Sequence, residues 1–138
     1  MKVRPAQPGD DAALERLHGD AGADIAALSP AELRHRDGAE VLRLVADVDG
    51  ELAGALVAHV VPPAVGGEPD TRLRIDSLVT AAAHRGRGYA AQLVEAAEAW
   101  GRERGATAAE TWTQDRVPFW KGRLAYAERS VNLRKRLG

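Results

Sequence analysis

The 138-residue sequence contains no cysteine. That excludes a disulfide framework, a thiolate metal site and a cysteine nucleophile, and it fits a reducing compartment. Aromatic residues are scarce as well: three Trp, two Tyr and one Phe. Any core must therefore rest on Leu, Val and Ala. Long apolar runs are missing. The longest stretch without a charge, Leu52 to Gly67, is broken by His59 and by Pro62-Pro63. A membrane-crossing helix needs about 20 mostly apolar residues, so none is expected. Met1-Lys2-Val3-Arg4 offers no apolar segment of a secretory signal. The four histidines (18, 35, 59 and 84) lack metal-ligand spacing, so no metal site is expected. There is no internal repeat. At about 100–200 residues per domain, the length predicts a single cytoplasmic domain over residues 1–138 without a membrane partner.

Charge is present, but unevenly. Residues 1–70 carry six Lys and Arg against thirteen Asp and Glu, a net of −7; residues 71–138 carry thirteen against seven, a net of +6. Such a split suits a site where an anionic and a cationic ligand meet from opposite sides. Solvated surface charge is the plainer account.

Val3–Ala6 reads as a short strand, and Asp10 or Asp11 can cap a helix with Ala13, Leu14 and Leu17 on one face. Ser29-Pro30-Ala31-Glu32 is a capping box opening a second helix, which Asp37-Gly38 ends. Val41–Val48 and Leu52–Val61 are strands joined by Asp49-Gly50, a two-residue hairpin signal. Thr71–Thr80 is the next strand. From Tyr89 to Arg104 the period turns helical, with Leu93, Ala97 and Trp100 on one face and Gly105 as the stop. Ala106–Thr113 then predicts a strand parallel to 71–80, since a helical crossover links the two. Val117–Gly122 suits a short helical turn, and Ala125–Leu137 reads as a final strand. Left uncovered, that strand would favour a homodimer.

The informative unit is Arg85-Gly86-Arg87-Gly88-Tyr89-Ala90, between a strand and an amphipathic helix. Two glycines allow close backbone approach, and the helix start leaves N–H groups unpaired beside two arginines, a setting for pyrophosphate. The loop lacks the Gly-Lys-Ser/Thr of a Walker A motif and the third glycine of the dinucleotide fingerprint. Taken with the order β-α-α-β-β-β-α-β-turn-β, the chain resembles the GNAT superfamily of acyl-CoA-dependent N-acyltransferases. Arg85, Gly88 and Ala90 match its Arg/Gln-x-x-Gly-x-Gly/Ala motif, Leu78-Val79-Thr80 its fourth strand, and Phe119-Trp120 with Leu124-Ala125-Tyr126 its Phe-Tyr…Leu-Gly-Phe segment.

The resemblance implies a mixed α/β (α+β) fold: a mostly antiparallel sheet flanked by helices, with a splayed parallel strand pair after the glycine loop. It also implies acetyl-CoA as co-substrate, its pyrophosphate on the backbone of Arg85, Gly86, Arg87, Gly88, Tyr89 and Ala90. The pantetheine arm would lie along Leu78, Val79 and Thr80. Trp120 departs from the pattern, standing where many relatives have the Tyr that protonates the leaving thiolate.

Acetylating an amine requires removing a proton from an ammonium of ordinary pKa near 10. Without cysteine the amine must attack the thioester directly. Asp76, two residues before Leu78, is the candidate base; a strand carboxylate paired with Arg72 or Arg74 is the alternative. Glu110 is a weaker candidate. Tyr126 as an acid stands against its reading as core, and His84 beside the loop against that of an ordinary exposed histidine. The Arg-Lys-Arg run at 134–136, without aromatics or a groove-entering helix, gives no case for nucleic acid. The sequence thus predicts an acetyltransferase acting on a primary amine, the acceptor a small cationic molecule drawn by Asp10, Asp11, Asp20, Asp24 and Glu32. Acylation of a protein N-terminus or lysine is the variant reading, and a silent acyl-CoA-binding module the rival one.

Overall fold

The computed structural model describes residues 1–20, 40–112, 118–127 and 135–137. Asp49 and Gly50 turn the chain with φ of 52° and 88°, the two-residue geometry whose twist matches paired strands. The Asp47 carboxylate accepts the Gly50 N–H at 2.7 Å and fixes that turn. It joins β2 (Val41–Val48) to β3 (Glu51–Val61), paired antiparallel from Val41↔His59 to Val48↔Glu51. β1 (Lys2–Pro5) adds to the outer edge of β2, and β4 (Arg72–Thr80) runs antiparallel to β3. β5 (Ala108–Thr111) lies parallel to β4, giving the order β1-β2-β3-β4-β5.

A parallel pair needs a crossover, supplied by α2 (Tyr89–Glu103). The helix closes on Gly105 at φ 86°, whose N–H bonds to Arg102 O while that of Ala106 bonds to Gly101 O. That double closure satisfies carbonyls the last turn would leave open. Leu93, Val94 and Ala97 of α2 pack on Leu42, Leu56, Ala58, Leu73 and Ile75. On the opposite face α1 (Asp11–Asp20) sets Leu14 and Leu17 on Val45, Ala55 and Val79. Each fully buried Leu or Val contributes about 1.5–3 kcal/mol. Gly54 brings α2 close: a Cβ there would stand 2.9 Å from Val79 O and 3.2 Å from Leu93 Cδ1. The fold is the mixed, mostly antiparallel one expected, with the parallel pair after the crossover.

The second helix expected over 29–38 lies outside the described residues. β5 is shorter than predicted, because the Ala106 N–H is spent closing the helix and Trp112 is already exposed. The short turn near 117–122 is a π-helical turn over Phe119–Arg123. The final strand is not present at its predicted start. Ala125 takes φ 60° and the Tyr126 N–H bonds back to Trp120 O at 2.8 Å, folding residues 125–127 onto the π-helical turn rather than extending them. Residues 128–134 of that segment lie outside the described residues, and 135–137 are not in a strand.

Candidate functional site

The six residues singled out by sequence sit together where β4 runs into α2. A short 3-10 turn, Ala82–His84, leads from the strand to the loop. Gly86 and Gly88 take φ of 78° and 82°, which L-residues rarely adopt, and Gly88 is the N-cap of α2. The first N–H bonded back onto the helix is that of Gln92, to Gly88 O. The N–H groups of Gly86 to Ala91 have no acceptor among the described residues, so the positive end of α2 is open to an anion. Arg85 and Arg87 are exposed beside it, and Tyr89 and Ala90 half-buried. A third cation joins them that sequence reasoning missed. The Arg123 Nη2 lies 3.1 Å from where a Cβ on Gly88 would stand, carried there by the π-helical turn. The residues present therefore fit a pyrophosphate.

The parallel ladder between β4 and β5 runs only from Arg72↔Ala108 to Ile75↔Thr111. Past Ile75, β4 continues through Thr80 still paired to β3 but without β5. Ser77 to Thr80 thus present a backbone edge that pairs with no strand on that side among the described residues, leading toward the glycine loop. An extended chain carrying amides can pair there. Leu78 is half-buried; Val79 and Thr80 are buried, and Thr80 Oγ1 and Ser77 Oγ have no hydrogen-bond partner among the described residues.

Asp76 stands where the two strands part. The register jumps there, Val57 facing Ser77 and Ala58 facing Ile75, so Asp76 is the extra residue of a β-bulge. Its Oδ2 lies 2.6 Å from His59 Nδ1, the side chains 6% and 11% exposed. The arginines expected as its partners are turned elsewhere: Arg72 Nε lies 3.2 Å and Arg74 Nη2 3.6 Å from the Glu110 carboxylate. Arg74 also stacks over exposed Trp112 at 4.7 Å. Glu110 is thereby engaged by two cations. His59 was missed in the sequence because Asp76 lies 17 residues away, and only the β3–β4 register brings them together.

Tyr126 is core. It packs edge-to-face on buried Trp120 with ring centroids 5.0 Å apart, and its hydroxyl donates to Glu98 Oε2 at 2.9 Å. Burial, then the Glu98 carboxylate, holds the phenol well above the usual range. His84 is buried rather than exposed, its Nε2 3.5 Å from Glu51 and its ring 6.1 Å from that of Tyr89. Asp10 is taken by Arg4 at 2.8 and 3.0 Å, and Asp11 lies 3.5 Å from Arg43. Asp24 and Glu32 lie outside the described residues. Among the described residues there is no cluster of three or more metal-ligating side chains, and no helix is long and apolar enough to cross a membrane.

Comparison with known proteins agrees with this architecture. Similar structures include an aminoglycoside antibiotic 6'-N-acetyltransferase from Acinetobacter haemolyticus, 20% identical over all of both chains with a TM-score of 0.75. An aminoglycoside N-acetyltransferase in complex with CoA is 20% identical, covering 99% of this chain and 100% of its own at a TM-score of 0.72. A ribosomal-protein-alanine N-acetyltransferase from Brucella melitensis biovar Abortus 2308 is 21% identical over 99% and 100%, with a TM-score of 0.73. At such identities the likeness is one of fold. No curated protein sequence matches. The acetyltransferase (GNAT) family model matches residues 12–123, from α1 through the parted strands and glycine loop to the π-helical turn, and the chain belongs to that family.

Proposed function

We propose that this chain transfers an acetyl group from acetyl-CoA to a primary amine by direct attack, with no acyl-enzyme. The observation that carries the reading is the β4 edge from Ser77 to Thr80, unpaired among the described residues and leading through the Ala82–His84 turn to the open N-terminus of α2. Backbone N–H groups of Gly86 to Ala90 would hold the pyrophosphate, with the side chains of Arg85, Arg87 and Arg123 beside them; the Arg85 N–H expected among the donors is already given to Ala82 O. Leu78 to Thr80 would pair with the pantetheine arm, bringing the acyl group toward Asp76. Positioning then supplies much of the rate. Asp76 belongs to the proton-accepting end of the site, since it lies at the parting of the strands and meets His59 at 2.6 Å, whereas Glu110 is engaged by Arg72 and Arg74.

The acceptor in this reading is a small cationic amine in the cytoplasm. Two similar folds are aminoglycoside acetyltransferases, and the front half of the chain is acidic. Asp10 and Asp11 are matched by Arg4 and Arg43, so any attraction rests on the remaining acids of that half. A second reading, acetylation of a protein N-terminus, is favoured by the ribosomal-protein-alanine acetyltransferase neighbour. A thiol-release screen with acetyl-CoA against polyamines, aminoglycosides, neutral amines and alanine-ended peptides tests both. Higher kcat/KM for cationic small amines, falling as salt rises, is expected. A preference for peptides would select the second reading. No release with any acceptor would leave a silent acyl-CoA-binding module.

A further inference from the structure

We propose that His59 is the base that takes the proton from the acceptor amine, with Asp76 as the positioning residue that holds the ring; this rests on the acetyl-transfer reading above. The two residues meet at 2.6 Å, Nδ1 to Oδ2. A carboxylate only accepts, so a neutral ring must carry its proton on Nδ1 and leave the Nε2 lone pair free. Nε2 has no hydrogen-bond partner among the described residues, and the His59 side chain is 11% exposed. His59 shares a face of β3 with Ala55 and Val57, which pack toward α1, while Leu56 and Ala58 turn to α2. The pair therefore lies on the sheet face opposite the crossover helix.

Position along β4 agrees. At about 3.3 Å per residue, Asp76 stands roughly 13 Å back along the strand from Thr80 and the glycine loop. It is also the first β4 residue beyond the last β5 pair. Asp76 is thus at the far end of the open edge, where an arm anchored at the loop would end. The chemistry favours the imidazole: as residue types, His near 6.5 is a better match than Asp near 3.9 for an ammonium near 10. In the step, the ammonium gives one proton to His59 Nε2, and Asp76 stabilises the resulting imidazolium. The freed lone pair forms the C–N bond as the C–S bond breaks; the second proton lost by nitrogen goes to the thiolate sulfur, and the first leaves His59 for solvent.

Two measurements test this. Long-range 1H–15N spectra of the protein alone should show His59 as the Nδ1–H tautomer, converting to Nε2–H in Asp76→Asn. The pH profile of kcat/KM for thiol release with an active amine should show an acid limb that depends on His59. Among the described residues, Arg72, Arg74, Glu110, Arg43, Asp11 and His18 are further charged or titratable groups on that side of the sheet, and each is unchanged in the variants. His59→Gln should lose that limb and about 100-fold in rate at pH 7; Asp76→Asn should lose a comparable share of the rate, because its ring then presents Nε2–H in place of a lone pair. His59→Asn provides a second variant, and acetyl-CoA-induced thermal stabilisation checks folding in each. An Nε2–H tautomer in the wild type overturns the proposal whatever the activity. So does a limb that survives in His59→Gln and vanishes in Asp76→Asn, which would make Asp76 itself the base. A wild type silent with every amine overturns the transfer reading, and the base role with it.

Discussion

Gly88 joins the backbone demand of the loop to the chemistry proposed for it, so replacing it separates folding from binding. At φ 82° an L-residue costs about 1–2 kcal/mol, and a β-branched one lies at the upper end. The new side chain would also meet Arg123 Nη2, 3.1 Å from the Cβ position, but that flexible end can move. Gly88→Val should therefore destabilise the unliganded protein by about 2 kcal/mol. With roughly 2–4 °C per kcal/mol for a chain near this size, the melting temperature falls by about 4–8 °C. Binding is affected separately. Acetyl-CoA at 100 times its Kd stabilises the native state by about 2.7 kcal/mol, or roughly 5–11 °C on the same scale. The valine stands over the N–H groups of the first turn of α2, so that increment should vanish in the variant. Thermal melts of both proteins with and without acetyl-CoA give all four values. An acetyl-CoA shift in Gly88→Val equal to that of the wild type would refute the phosphate-loop assignment.

Gly54→Ala should cost about 1–3 kcal/mol, since its Cβ meets the rigid Val79 carbonyl at 2.9 Å; urea unfolding checks this, and an unchanged midpoint would contradict it. Tyr126→Phe should keep thiol release within about twofold while losing about 1 kcal/mol of stability, because the hydroxyl serves Glu98. Loss of turnover with intact acetyl-CoA binding would restore Tyr126 as an acid. Asp10 is held below its usual 3.8, first by the Arg4 hydrogen bonds and then by the Gln7 N–H against the opposing effect of burial. Its contribution is full above that ordinary value and is lost as pH falls through the lowered one. Arg4→Met should shrink the difference in urea midpoint between pH 6 and pH 3; an undiminished difference would count against the pairing.

Much of the scaffold was legible because local chemistry dictates it. Asp49-Gly50 can make only a tight hairpin, the Leu93–Ala97 spacing only one apolar helix stripe, and Gly105 a helix stop; all three hold. The Arg-Gly-Arg-Gly loop was legible for the same reason, its demands lying within six consecutive residues. What depended on distant pairing was not. Asp76 read as a candidate base or, alternatively, as a partner of Arg72 or Arg74, four and two residues away on its own strand. The structure gives both arginines to Glu110 on β5 and turns Asp76 to His59 on β3. A one-residue bulge at Asp76 accompanies that choice, and a register shift leaves no mark in periodicity when both neighbours alternate normally. Ala125–Leu137 alternated like a strand, yet Tyr126 folds back onto Trp120, because an aromatic satisfied by a buried ring and Glu98 overrides a weak period-two pattern. Arg123 reaches Gly88 only through the π-helical turn, 35 positions along the chain. Sequence alone determined most of the elements and the glycine turn that opens α2, whose causes are local. Tertiary structure decided which titratable groups meet, because hydrogen bonds of 2.6 to 3 Å depend on strand register and on packing between residues far apart in the chain.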